Sequence, residues 1–251
     1  MHYQKNFLTK IVLRLDFGEI LALRGEAKPE FSDRIQTLYP IAIGKPTSTL
    51  SVTVGPKGSG IQQEITGMLW EHRKAENGTK VVSLSPTLLS VEYGQNDYDH
   101  FPPFRAEVEH VFGALQSLYQ VTQVNRIGLR YINEISLQQG NALDWDNLIK
   151  PGLITSVKAC LPDSMTMVRS FHQLQAQRDN LTTIFNYGLY NPDYPNPLAR
   201  RQFVLDYDCF RADTLATEVM QTLDSLNDIC EAMFEASIEE GLRSQMGVID
   251  D

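Results

Sequence analysis

The sequence predicts an α+β protein, with antiparallel sheets from two similar βββα halves, each backed by a long helix. Three observations lead to this fold class. Apolar residues alternate with polar ones in several segments, which is typical of strands with one buried face. Short turn signals separate these segments, and short connections join antiparallel strands. Two longer segments carry apolar residues at helical spacing.

The first half covers about residues 1–138 and opens with a strand over Leu8–Phe17, where Ile11, Leu13 and Leu15 alternate with polar residues. Asn77-Gly78 is the strongest hairpin signal in the chain. GPKGSG at 55–60 is interpreted as a turn, because it lacks the spacing of a phosphate-binding loop. Periodicity and turn residues predict a helix over 30–39, strands over 49–54, 65–74, 80–84 and 88–93, a helix over 104–119 and a strand over 124–135.

The second half covers about residues 165–251 and repeats this order of elements. The pattern predicts strands over 165–177, 180–189 and 202–208, a proline-rich loop over 191–199 and one helix over 212–243. Cys230 falls on the apolar face of that helix and is expected in the core. The matching order predicts an internal pseudo-repeat within a single domain of residues 1–251, although no residue identity supports a repeat.

Composition excludes several classes of protein. Hydrophobic residues make up 42% of the chain and charged residues 21%, which excludes an intrinsically disordered protein. No signal-peptide pattern or apolar run of membrane-spanning length is present, so we expect no membrane association. The three cysteines form no C-x-x-C pair and fit the reducing cytoplasm. The net charge of −9 disfavours nucleic acid as the main partner.

Two aspartates offer candidate chemistry. Asp206 and Asp208 lie two apart on a predicted strand, so both carboxylates point to one face, and Glu92 could be a third ligand. Such an arrangement suits divalent-metal chemistry on nucleotides or nucleic acid. The alternative is structural ion pairing with Arg126 and Arg130, which also share one strand face. We favour the ion pairs and predict no metal and no other cofactor.

The histidines and serines form no recognisable catalytic motif. His72 and His172 occupy similar places in the two halves and could meet across a pseudo-twofold axis, but exposed strand positions explain them equally well. No G-x-S-x-G motif is present, so Ser90 and Ser170 have no context as nucleophiles.

The better candidate for an interaction site is the loop YNPDYPNPLARR at 190–201. Its prolines lower the entropy cost of ordering. Its Tyr190, Tyr194, Arg200 and Arg201 belong to residue types that are enriched at binding hot spots. Tyrosines near basic residues also leave open a sheet face that stacks single-stranded bases.

The element order, with its segments FSDRIQTLYP, RIGLRYINEI and VLDYD, resembles a family of about 250-residue, sporadically distributed bacterial and archaeal proteins of unknown function. The resemblance covers essentially the whole chain, and RIGLRYIN at 126–133 is its most specific part. It implies a fold grouping but no catalytic residues. Sporadic distribution associates such proteins with antiphage-defence and toxin–antitoxin loci.

We therefore expect a cytoplasmic, non-enzymatic component of such a locus that binds another protein. A metal-dependent enzyme and a single-stranded nucleic-acid binder are the alternatives. The sequence leaves homo-oligomerisation open, because the apolar stripe of the C-terminal helix could pack within one chain or against a second copy.

Overall fold

A computed structural model describes residues 2–25, 28–55, 58–95, 97–158 and 161–249. The strands are β1 (His2–Tyr3), β2 (Leu8–Phe17), β3 (Ile41–Gly55), β4 (Gly58–Arg73), β5 (Val81–Ser85), β6 (Leu88–Gly94), β7 (Gln123–Leu137), β8 (Ser170–Arg178), β9 (Leu181–Leu189), β10 (Arg201–Leu215) and β11 (Val248–Ile249). The α-helices are α1 (Glu30–Ile35), α2 (Phe101–Tyr119), α3 (Pro151–Ile154), α4 (Val219–Ser237) and α5 (Glu240–Met246).

One antiparallel sheet of nine strands organises the molecule, in the order β3-β4-β5-β6-β2-β7-β10-β9-β8. This confirms the α+β class. The sequence predicts two half-sheets, but the structure has one continuous sheet, because β2 and β7 pair along their length at its centre. The two-stranded pair β1-β11 lies apart from it. The internal repeat stays a prediction.

The hydrophobic core lies between one face of this sheet and the helices. One row of neighbouring residues across four strands runs Ile11, Tyr131, Tyr207 and Phe185, and all four side chains are buried. Helix α2 buries Phe104 against Tyr93 with ring centroids 5.1 Å apart. The strand residues between these core positions point to the opposite face, which carries polar and charged side chains.

The predicted helix over 212–243 is wrong in its limits. Residues 212–215 continue β10, because Thr214 still pairs with Val124 of the long neighbouring strand β7. Helix α4 then ends at Ser237, where buried Ile238 adopts an extended conformation and bridges to Ile149. The chain resumes as the separate helix α5. Cys230 is buried within α4, as the helical spacing predicts.

Other boundaries shift in the same way, because strand pairing extends or shortens elements. Strand β3 begins at Ile41 rather than 49, and β8 begins at Ser170 rather than 165. Helix α2 begins at Phe101 rather than 104, because prolines are well tolerated in the first turn of a helix. The hairpin predicted at Asn77-Gly78 is confirmed, and the Gly78 N–H donates to the Ala75 carbonyl at 3.0 Å. Residues 56–57 of the predicted turn at 55–60, together with Cys160, lie outside the described residues.

Among the described residues, no helix is long and apolar enough to cross a membrane.

Candidate functional site

The polar face of the sheet brings together the charged residues that the sequence singles out. Arg130 of β7 and Asp206 of β10 form a two-bond fork, with Nε–Oδ1 at 2.7 Å and Nη2–Oδ2 at 2.8 Å. Asn186 of β9 adds a third donor to Oδ2 at 3.1 Å. Asp206 is only 5% exposed, so its negative charge is compensated by donors rather than by water. The hydrogen bonds to Asp206 raise the pKa of Arg130 further above its ordinary value, against the opposing effect of burial.

A second pair lies beside the first. Arg126 Nη2 donates to both carboxylate oxygens of Asp208 at 2.9 and 3.0 Å. The same guanidinium lies 4.5 Å from the ring centroid of Phe210, a cation–π contact. It crosses Gly128, where a side chain would occupy its place. The sequence therefore places both arginines and both aspartates on one face, and the structure brings them into contact.

Glu92 does not join the two aspartates. It lies on β6 and pairs with Lys10 of β2 at 2.6 Å. Within the part of the chain that the structure describes, no group of three or more histidine, cysteine or acidic side chains could hold a metal ion. Each of the three candidate metal ligands already contacts a cation.

The charges of this face also alternate in sign. Arg14 contacts Asp16 at 2.7 Å, next to the pairs already described. No continuous positive surface of the kind that follows a phosphate backbone forms on these central strands.

The loop at 190–201 is divided between structural and exposed residues. Arg201 donates to the carbonyls of Gln139 and Asp144 and lies against the Trp145 ring, so it anchors a neighbouring loop. Arg200 is exposed but pairs with Asp193 at 2.9 Å. Tyr190 and Tyr194 remain exposed, at 42% and 61%.

Strand β8 forms one edge of the sheet, and the sequence pattern alone does not single it out as a site. All of its residues from Gln173 to Arg178 are exposed, including Leu174 at 49%. Phe171 is 39% exposed, and the guanidinium of Arg169 lies 5.5 Å from its ring centroid. One feature of the sequence could have indicated this edge: the strand SFHQLQAQR has no acidic residue, lysine or proline.

The exposed loop and this edge strand are one surface. Arg169 also lies 5.6 Å from the ring centroid of Tyr190. Asn191 follows Tyr190 and is buried, and its side-chain amide donates to the carbonyls of Val168 and Asn196 at 2.9 and 2.7 Å. It therefore ties the loop to the segment that leads into β8. We call Arg169, Phe171, Leu174 and Tyr190 the β8 edge surface.

A serine–histidine cluster lies behind this edge. Ser156 Oγ is 2.6 Å and Ser170 Oγ is 3.1 Å from His172 Nε2, and the His172 ring stacks on Tyr187. Sequence spacing rejects Ser170 as a nucleophile, whereas the structure places it within reach of a base. No carboxylate of the described residues bonds the other ring nitrogen, so the orienting group of a catalytic triad is missing.

The two histidines in similar sequence places do not meet. His72 lies on β4 and is buried, whereas His172 lies on β8, at the opposite side of the sheet. Six strands lie between them in the sheet order, which at ~4.8 Å a strand is a path of more than ~30 Å along the sheet.

Comparison with known proteins adds no family to this description. No family model matches the chain, and no curated protein is significantly similar to it.

Proposed function

We propose that this protein is a non-enzymatic interaction module that binds an extended segment of a partner protein by strand addition at β8. The observation that carries the proposal is the unprotected outer edge of that strand. β8 is the last strand in the sheet order, and no other described strand pairs with its outer side. Its outward N–H and C=O groups are therefore available to a partner strand.

Natural sheets protect their edges against such pairing. They place lysine, proline, inward charges or bulges on the edge strand, or cover it with another element. The first eight residues of β8 include no lysine, proline or acidic residue. Its only permanently charged residue, Arg178, is the last one. Its pairing with β9 runs without a register shift from Ser170 to Arg178. A long, regular edge with no lysine, acidic residue or arginine before its last position favours a partner strand.

The β8 edge surface also provides anchors for side chains. Phe171 and Leu174 point to opposite faces of the strand, so a partner strand can place apolar residues against either face. Arg169 lies between two exposed aromatic rings and makes no ion pair with any described residue. A segment with alternating apolar residues and a flanking carboxylate would fit these groups.

Site-specific photo-cross-linking in the native host tests the proposal. We would place a photoreactive residue at Gln175, which is exposed at the centre of β8. We expect one discrete adduct, whose cross-linked peptide comes from an extended segment. A synthetic peptide with that sequence should then bind the purified protein. The same photoreactive residue at Gln221, exposed on α4, should give no such adduct.

Two further variants make this test decisive. Leu174→Lys adds a charge at the edge and should abolish both the adduct and peptide binding. Leu215→Lys makes the same change at another exposed leucine, at the far end of β10, and should leave both unchanged. The proposal is wrong if the adduct persists in Leu174→Lys, or if Gln175 gives no specific adduct. An adduct to a second copy of this chain would identify the partner as the protein itself.

The contacts of the charged face argue against the two alternative functions. A metal-dependent mechanism requires Asp206 and Asp208 as free ligands, but both are held by arginines. A single-strand binder requires a contiguous positive face, but the central strands carry paired charges of both signs. The defence or toxin–antitoxin role depends on the family resemblance alone.

We also propose that the chain is a duplicated unit, with its boundary between α2 and β7 rather than in the loop before residue 165. The order β2-α1-β4-β5-β6-α2 corresponds to β7-α3-β8-β9-β10-α4, with β3 as an addition. Each unit has a serine, in the segment after its first strand, that contacts a histidine of the strand that corresponds between the units. In the first unit Ser32 contacts His72 of β4, and in the second unit Ser156 contacts His172 of β8. The two units should superpose by a rotation near 180°, and failure to superpose would refute the duplication.

A further inference from the structure

A small cavity lies on the helix-covered face of the sheet, and the sheet separates it from the charged face. Its volume is about 140 Å³, well below the ~300–1,000 Å³ of pockets for drug-sized ligands. Tyr131, Asn133 and Tyr207 of the central strands form its floor, and α4 and the segment that leads into α2 form its walls. The size suits a ligand of a few non-hydrogen atoms.

Aromatic rings form much of the cavity wall. Tyr98 and Tyr131 make an edge-to-face pair with centroids 5.9 Å apart, and Tyr3 and Phe234 make another at 6.4 Å. Phe101 adds a further ring. The faces of such rings carry partial negative charge and attract cations.

The tyrosine hydroxyls at this cavity stay neutral. Burial raises the pKa of Tyr98 to about 12 and raises the pKa of Tyr131 well above its usual value. Tyr131 OH donates to Asn227 Oδ1 at 2.7 Å, and Tyr98 OH lies 3.2 Å from Tyr131 OH. The hydroxyls therefore form a chain of hydrogen bonds that orients the two rings.

Carboxylates supply the formal charge at the cavity. Asp99, Glu231 and Glu235 line it, and no described lysine or arginine does. Glu235 is paired with Arg243 at 3.1 Å, and Asp99 lies 2.6 Å from His100. Glu231 accepts a hydrogen bond from Asn227 Nδ2 at 3.1 Å and has no cationic partner among the described residues.

We infer that this cavity binds a small organic ammonium cation. The rings would contact its alkyl groups and the Glu231 carboxylate would balance its charge, as in aromatic cages for alkylated amines. This inference is independent of the β8 edge surface, which lies at the far edge of the sheet. The ligand class follows from two features together, the aromatic wall and the Glu231 carboxylate, which is exposed at the cavity and free of a cationic partner among the described residues.

Calorimetric titration of the purified protein with tetramethylammonium chloride tests the inference. Sodium chloride at equal ionic strength and tert-butanol, a neutral molecule of similar shape, are the reference titrants. We expect saturable binding of tetramethylammonium alone. A further titration uses methylammonium, a primary ammonium ion. If it binds more tightly than tetramethylammonium, the cavity prefers a primary head group, and if it binds more weakly, the cavity prefers a quaternary one.

Three variants locate the binding. Glu231→Gln and Phe234→Leu should each weaken binding about threefold to tenfold, while Asp228→Asn, which removes an exposed carboxylate of the same helix outside the cavity, should not. Thermal melting checks that every variant is folded. The inference is overturned if neither amine binds saturably, if tert-butanol binds as well, or if Asp228→Asn weakens binding as much as Glu231→Gln.

Discussion

The guanidinium of Arg126 lies across Gly128, and a β-carbon at position 128 would overlap its Nη1 atom. The absence of a side chain at Gly128 allows Arg126 to reach Asp208 on the neighbouring strand and to stack on Phe210. The Arg-Ile-Gly-Leu-Arg segment at 126–130 thus forms part of a strand and also supplies the two arginines that pair with Asp206 and Asp208. Glycine weakens a strand interior, so a specific reason for it is expected.

Gly128→Ala should destabilise the protein, because the added methyl group displaces Arg126 from Asp208. We expect a loss of about 0.5–1 kcal/mol in the free energy of unfolding, measured by urea denaturation, because both partners of this ion pair are partly exposed and the arginine can move aside. Gly113→Ala is the control, because Gly113 is exposed within α2 with open space around it. That change should stabilise the protein by roughly 0.5–1 kcal/mol. Equal effects of the two substitutions would contradict the proposed role of Gly128.

The Arg130–Asp206 fork should show strong coupling in a double-mutant cycle. Arg130→Met leaves the buried Asp206 carboxylate without its cation, and we expect a cost of about 2–3 kcal/mol, moderated by the partial exposure of Arg130. The double variant Arg130→Met/Asp206→Leu should regain much of this loss, because no charge is then left unpaired. Additive losses in the double variant would show that the two side chains act independently.

Sequence alone predicts much of the central sheet and less of its edges. The alternation in Leu8–Phe17 gives β2 with its observed limits, because one face of this strand is buried and the other is polar. At residues 212–215 helical spacing continues through Leu215, yet Ala212, Thr214 and Leu215 pair with β7. Register against a distant strand is a tertiary property, which a local pattern does not contain.

Some features of the candidate site could be predicted from a local sequence pattern, and others depend on the tertiary structure. The shared strand face of Asp206 and Asp208, and of Arg126 and Arg130, follows from a period of two residues. The exposed position of β8 depends instead on which strand is last in the sheet. The cavity joins side chains as far apart in sequence as Tyr3 and Phe234, so no local motif could identify it.

Gly188→Ala should detach β8 from the sheet. Gly188 has a φ of 136°, and a β-carbon there would overlap the carbonyl oxygen of Ser170 on β8. We expect faster hydrogen exchange at the amides of β8 and β9, with loss of any binding at the β8 edge surface. Gly18→Ala, at a glycine with open space around it, should leave exchange at these strands unchanged. Unaltered exchange in Gly188→Ala would show that the strand pair tolerates the strain.

His72 is a buried histidine held in one neutral form. Its Nδ1 donates to the Val82 carbonyl at 3.3 Å, so its Nε2 accepts from the Ser32 hydroxyl at 2.8 Å. Its ring lies edge-on to Phe31 with centroids 5.5 Å apart. Burial lowers the pKa of His72 from 6.5 to about 4, and the hydrogen bond to Val82 opposes only part of this shift.

His72 should make stability depend on pH between about 6.5 and about 4. In this window the unfolded chain binds a proton at His72 and the folded chain does not, so stability is full above pH 6.5 and falls as the pH decreases. At pH 5 we expect a loss of about 2 kcal/mol relative to pH 7.5, since each unit of pKa difference corresponds to ~1.4 kcal/mol. Urea denaturation at both pH values measures the loss, which should disappear in His72→Gln and persist when the exposed His110 is changed to Gln. An equal pH dependence in His72→Gln and in the unmodified protein would assign the effect to other groups.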